Sequence, residues 1–167
     1  MEWGCTKCGV EIPQDREFCD KCEEKHFRKI GGVLFLPLIG LIVTAASYLF
    51  SMTDAFKVMT ENYSHLNANA KTFFILSLAI YIGQFLFTVT VLSFFLKKKK
   101  ILPTFYIFFL ISVVATMSLN VYLLYMLIPN VKIGYNELVP VFRNVITALI
   151  WIPYFMTSVR VKRTFIR

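Results

Sequence analysis

Apolar residues run through this chain in long unbroken blocks, with neither the alternation of a half-buried strand nor the one-sided stripe of a helix lying on a soluble core. Four blocks stand out: Ile30 to Met52, Thr72 to Leu96, Ile101 to Pro129 and Leu138 to Val159. Each reaches the roughly 20 residues that a helix needs to cross a hydrocarbon layer about 30 Å thick. The first three carry no Asp, Glu, Lys, Arg or His, and the fourth carries only Arg143, near one end. Unpaired backbone groups are costly in lipid, so such segments satisfy them internally as helices, and without alternation they do not read as barrel strands. The pattern predicts an all-α integral membrane protein: a four-transmembrane-helix bundle over 30–159, with spans at 30–52, 72–96, 101–129 and 138–159. A small polar module over 1–29 precedes it and a basic tail over 160–167 follows.

The polar linkers refine this picture. Lys97 to Lys100 is so short that the second and third spans must form an antiparallel hairpin, with Pro103 in the permissive first turn of the third. The linker from Thr53 to Lys71 is longer, and the helical spacing of Phe56, Met59 and Tyr63 predicts a short helix lying at the membrane surface. No small-residue cleavage site follows the first block, which is therefore expected to be a retained helix and not a signal peptide.

Composition agrees with the pattern: 57% hydrophobic, 16% aromatic and only 17% charged residues exclude an ordinary soluble domain. The net charge of +8 raises the choice between a nucleic-acid surface and a membrane-side bias, and its placement decides. Six Lys and Arg precede the first span (Lys7, Arg16, Lys21, Lys25, Arg28, Lys29), four form the tetralysine turn and four lie in the tail (Arg160, Lys162, Arg163, Arg167). Only Lys57, Lys71, Lys132 and Arg143 fall on the other side. Positive charge marks the cytoplasmic side, which predicts both termini in the cytoplasm. Lys97, Lys98, Lys99 and Lys100 are at least a topology signal. As anionic-lipid contacts they would add about 1 kcal/mol each.

All four cysteines fall in the first 22 residues, as Cys5-x2-Cys8 and Cys19-x2-Cys22 separated by ten residues. Two such knuckles can set four thiolates tetrahedrally around zinc, with the connection turning through Ile12-Pro13-Gln14-Asp15. Gly9 after Cys8 supplies the backbone freedom a knuckle needs, whereas Glu23 stands at the matching place after Cys22. Disulfides are the competing account, disfavoured by the expected cytoplasmic location. Four cysteines complete a closed structural site without His26, and metal ligation on the order of 10 kcal/mol replaces the core that so short a segment cannot bury. Seven acids (Glu2, Glu11, Asp15, Glu17, Asp20, Glu23, Glu24) against six bases make this module a poor phosphate binder, so no nucleic-acid partner is expected. A protein partner on the cytoplasmic side fits better. Trp3 and Phe18 are either its contacts or simply a cover for the metal.

Within the spans, Gln84, Asn120, Arg143 and Asn144 are the polar residues of interest. They are open to two readings. Gln84, Asn120 and Arg143 converge on an outward-opening polar cavity, or else Arg143 snorkels to the headgroups while the amides bond between helices. The absence of an acid from the four spans favours the second. Pro37 and Pro153 each remove a helix hydrogen bond and predict kinks, and Gly40 with Thr44 has the spacing that allows close helix approach. No phosphate loop, H-E-x-x-H or buried carboxylate pair is present, so catalysis is not expected.

Two resemblances follow from particular residues. Cys5-Thr6-Lys7-Cys8-Gly9, a Pro-containing turn and Phe18-Cys19-Asp20-Lys21-Cys22 resemble, in that order, the short zinc-ribbon family. Ile150-Trp151-Ile152-Pro153-Tyr154-Phe155, then Ser158, Arg160-Val161-Lys162 and Thr164-Phe165, with Ile30-Gly31-Gly32 and Leu36-Pro37, resemble the bacterial membrane family catalogued as domain of unknown function 2569. The second resemblance implies a bacterial inner-membrane protein and brings no activity with it. The expectation is a non-enzymatic accessory or regulatory subunit whose ribbon binds a protein partner. The alternative is a small transporter or channel-like oligomer built on Gln84, Asn120 and Arg143.

Overall fold

The computed structural model of the chain describes residues 4–14, 16–22, 32–128 and 131–165, without the side chains of Lys162 and Arg163. Trp3, Glu23, His26 and the juxtamembrane bases Lys25, Arg28 and Lys29 lie outside the described residues. After a 3-10 turn at Gly32–Leu34 come four long helices: α1 Phe35–Glu61, α2 Ala68–Leu96, α3 Leu102–Leu127 and α4 Tyr135–Thr157. A short α5, Val159–Thr164, closes the chain. Among the described residues there is no strand, only an isolated antiparallel bridge between Gly4 and Glu11.

All four long helices are long and apolar enough to cross a membrane, and no more than 22% of any span's most apolar window is buried within the chain. Large apolar side chains instead face outward, with Phe50 71% and Leu149 69% exposed. In water this surface would be a severe aggregation liability, whereas lipid tails accept it without cost. Five threonine hydroxyls are satisfied within their own helices: Thr72, Thr88, Thr90, Thr147 and Thr157 each donate to the carbonyl four residues back, at 2.7 to 3.0 Å.

Local signals set the helix ends. Asn67 caps α2 by accepting from the Ala70 amide at 2.8 Å, and Glu137 accepts from the Gly134 amide at 2.8 Å at the start of α4. The tetralysine turn reverses the chain with Lys98 at φ +52° and the Lys99 amide donating to the Phe94 carbonyl. One expected boundary moves substantially. The linker after Met52 does not hold a separate surface helix, because α1 runs on without a break to Glu61 and leaves only residues 62–67 as connection. Residues 53–61 contain neither Gly nor Pro, and Lys57 pairs with Glu61 one turn later at 3.9 Å.

Neighbouring helices pack in chain order, α1 on α2, α2 on α3 and α3 on α4. The tight core sits at the end where α1 begins, α2 ends, α3 begins and α4 ends. Leu34, Leu41, Val91, Phe95, Leu102, Tyr106, Phe109 and Phe155 meet there. Rings dominate it: Tyr106 stacks on Phe155 at 4.2 Å, and Phe94 meets Phe105 edge-on at 5.1 Å. Residues 159–165 do not form a free tail. After the break at Ser158, whose hydroxyl caps α5 at the Val161 amide, Val161 and Phe165 turn inward and are 0% and 2% exposed. Phe165 meets Phe95 at 5.2 Å. Phe155, Val161, Thr164 and Phe165, which carry much of the resemblance noted above, thus form the plug of this end.

Two glycines behave differently from one another. Gly40 does not mediate close helix approach, since a Cβ there would meet nothing within 4 Å. Gly32 is at φ +61°, and a Cβ there would lie 2.8 Å from the Arg160 guanidinium. Gly32→Ala is therefore expected to destabilise the protein by about 1–2 kcal/mol from backbone strain alone, more if Arg160 cannot yield. Thermal unfolding in detergent, compared with Gly40→Ala as a neutral control, measures this.

Candidate functional site

The cysteine centre is built by two short turns. Gly9 adopts φ +72°, which lets its amide donate to the Cys5 carbonyl at 2.9 Å while the Cys5 amide donates to the Val10 carbonyl at 2.8 Å. This curls Cys5 and Cys8 onto one side. The second arm is tied on by Thr6, whose amide and hydroxyl both donate to the Glu17 carbonyl, at 3.3 and 3.1 Å. The Arg16 amide closes a turn onto the Pro13 carbonyl at 3.1 Å, and the Arg16 side chain pairs with Asp20 at 2.7 Å. Residues 20–22 enter a helical turn.

The four sulfurs consequently all lie within 4.8 Å of one another, with Cys8 and Cys19 at 3.4 Å, and all four thiols are free. Cys5 is buried, Cys19 and Cys22 are half-buried and Cys8 is exposed. Backbone amides of Cys19 and Lys7 pull the Cys5 thiol down to about 6. The crowded thiols of Cys8 and Cys19 push Cys22 up to about 12. Cys8 also ends up raised: the backbone at Val10 favours its thiolate, but Cys19 and Cys5 together outweigh it. Four soft donors that resist joint ionisation, yet are held together by the backbone, form a site that could hold a metal ion.

The polar residues of the spans are not gathered into one site. Gln84 is buried and donates across α2 and α3 to the Ser112 hydroxyl at 2.9 Å. Buried Ser77 donates to the Asn120 amide oxygen at 2.7 Å, about two turns further from the tetralysine turn. Asn144 spends its amide within α4, on the Pro140 carbonyl at 2.8 Å. Arg143 is exposed and, among the described residues, its side chain bonds to neither Gln84 nor Asn120. The Tyr48 hydroxyl is buried near Thr116, and its ring lies 6.2 Å from that of Tyr81. Of the tetralysine turn, Lys97, Lys99 and Lys100 are exposed, and Lys99 sits over the Phe94 ring at 5.0 Å. A double-mutant cycle on Ser77→Ala and Asn120→Ala is expected to give a coupling of about 0.6 kcal/mol, the usual size for interhelical bonds in membranes. Reversible unfolding in mixed micelles would read it.

The sequence reading overlooked Asp54. A span that ends at Met52 places this carboxylate in the following linker. In the folded chain it stands on α1 beside Phe73, Phe74, Ser77 and Tyr81 of α2. The uninterrupted helix formers after Met52 were the signal.

Four consecutive apolar helices and an N-terminal cluster of four cysteines define a small helical protein of the multi-pass membrane type with one candidate metal centre. Comparison with known proteins gives the family. The chain belongs to the family described as Protein of unknown function (DUF2569), whose family model matches residues 27–166. That match takes in all the helices and begins after Cys22. No curated protein and no solved structure matches the chain.

Proposed function

We propose that this protein is a non-enzymatic accessory or regulatory subunit of a membrane assembly, and that its N-terminal module, organised by one structural zinc ion, is the surface that binds a protein partner. The observation that carries this reading is the closure of the cysteine centre. Tetrahedral zinc with Zn–S bonds of about 2.3 Å separates its sulfurs by about 3.8 Å, a value inside the spread found here. Four thiolates fill the coordination sphere and leave no place for a water or substrate, so the ion would hold the fold and not act as a Lewis acid. What remains for the module to offer is its outer face, which carries acidic and basic groups in near balance. The bias of Lys and Arg toward the termini and the tetralysine turn supports a cytoplasmic location for that face, in a bacterial inner membrane. The transporter alternative has less support, because Gln84 and Asn120 are engaged with Ser112 and Ser77, and among the described residues neither bonds to Arg143.

The test is affinity purification of the full-length protein from native membranes in mild detergent, wild type against Cys19→Ser/Cys22→Ser, with zinc assayed in both. A stoichiometric partner and one zinc per chain are expected for the wild type, both lost in the variant, while membrane insertion persists. A partner retained by the zinc-free variant would remove the module from the interaction.

A further inference from the structure

The half of the bundle remote from the aromatic core holds a cavity of about 260 Å3 between α1 and α2, whose lining includes Ser51, Asp54, Phe73, Phe74, Ser77 and Tyr81. Its depth follows from helix geometry. Asp54 lies nineteen residues beyond Phe35, and Ser77 lies twenty residues before Lys97, which at 1.5 Å per residue places both about 30 Å along their helices. That distance is the thickness of the hydrocarbon layer, so the cavity opens where lipid tails give way to headgroups on the side opposite the tetralysine turn.

The wall has one chemical character. It carries a carboxylate, three aromatic rings and serine oxygens, and none of its lining residues is a Lys or Arg. The Ser77 proton is already given to Asn120 at 2.7 Å, which leaves that oxygen able only to accept. Neither nearby lysine neutralises Asp54: Lys57 pairs with Glu61 at 3.9 Å, and Lys71 sits over the Tyr63 ring at 4.1 Å. Asp54 itself forms no ion pair among the described residues. A carboxylate and aromatic rings lining one cavity, at the boundary where water thins out, form an arrangement that attracts an organic cation, through charge and through the ring quadrupoles together.

We propose that this cavity binds an ammonium group carried on an apolar body, with Asp54 as its counter-charge and the rings of Phe73, Phe74 and Tyr81 as its walls. The site shares no residue with the cysteine module and does not depend on that module's role. An ammonium of this kind comes either from the headgroup of an amine phospholipid or from a free amphipathic cation. The two sources share the same recognition chemistry.

The experiment is equilibrium dialysis of labelled benzyltrimethylammonium against the full-length, delipidated protein in dodecyl maltoside, an uncharged and amine-free detergent. Wild type is expected to bind the probe saturably at one site per chain. Asp54→Asn should weaken binding by about tenfold to a hundredfold, as removal of a partly screened charge contact implies. Asp54→Glu should retain binding, and Phe74→Leu should weaken it without loss of helicity. Asp54 is exposed and, among the described residues, forms no ion pair, so its substitution is expected to leave the fold intact, and size-exclusion profiles and circular dichroism matching wild type check this for each variant. Displacement of the probe by phosphatidylethanolamine but not phosphatidylglycerol would identify the lipid headgroup as occupant, and displacement by neither would identify a free cation. Absence of saturable binding by wild type, or equal binding by Asp54→Asn, would overturn the proposal.

Discussion

Removal of a metal ion loaded into the cysteine centre is expected to unfold residues 4–14 and 16–22 and to leave the four long helices intact. Only one side chain in that segment, Cys5, is buried among the described residues, and the backbone is held by a bridge and a handful of turn bonds. Such a segment has no apolar core, and ligation worth about 10 kcal/mol or more would be its main source of stability. Hydrogen exchange with and without a strong chelator reads the effect: protection at the Cys5 and Gly9 amides should vanish, while that of α1 to α4 stays. Survival of protection after the metal is gone would show that the hydrogen bonds suffice.

The same site carries a pH dependence of definite sign. The Cys22 thiol, raised to about 12, and the raised Cys8 thiol hold their protons at neutral pH, so a metal must displace them, whereas Cys5 at about 6 is already largely ionised. Affinity therefore falls as pH is lowered, by about a decade per pH unit for each proton released. Chelator competition at several pH values between the two extremes measures the number of protons.

Phe95→Ala is expected to be the most damaging single change in the bundle, at roughly 3 kcal/mol. Its side chain is fully buried at the end of α2 and meets Phe165 edge-on at 5.2 Å. Lipid tails are as apolar as phenylalanine, so the loss is one of packing and not of transfer from water, which sets the value toward the low end of aromatic truncations. Truncation would also undock Phe165 and with it α5. Unfolding in mixed micelles, together with protease susceptibility after Ser158, measures both. A variant of equal truncation at outward-facing Phe50 should be near neutral, which separates packing from hydrophobicity.

This plug gives a physical reason for the residues that carry the family resemblance. Phe155, Val161, Thr164 and Phe165 are there because the end of α4 and the turn at Ser158 must seal the bundle where its aromatic rings meet. The basic residues of 160–167 draw attention away from Val161 and Phe165, whose four-residue spacing puts both on one side of a helical turn. Gly40 and Thr44 show the opposite error. Small-residue spacing permits close approach, but only the placement of the neighbouring helices determines whether anything approaches, and at Gly40 nothing does.

What the sequence determined alone are properties that live in one dimension. An apolar run either reaches the thickness of a hydrocarbon layer or does not, and four of them do. Two knuckles with two residues inside each either can or cannot converge, and Gly9 with the Pro13 turn lets them. The tertiary structure alone decided which groups are spent on each other. It pairs Gln84 with Ser112 and Ser77 with Asn120, leaves Arg143 exposed, folds Val161 and Phe165 into the core and carries α1 past Met52 so that Asp54 lines one cavity with Phe73, Phe74 and Tyr81 of α2. The reason is that a polar side chain in a low-dielectric bundle takes whichever partner the neighbouring helix presents, and that depends on helix register and rotation, which hydropathy does not encode.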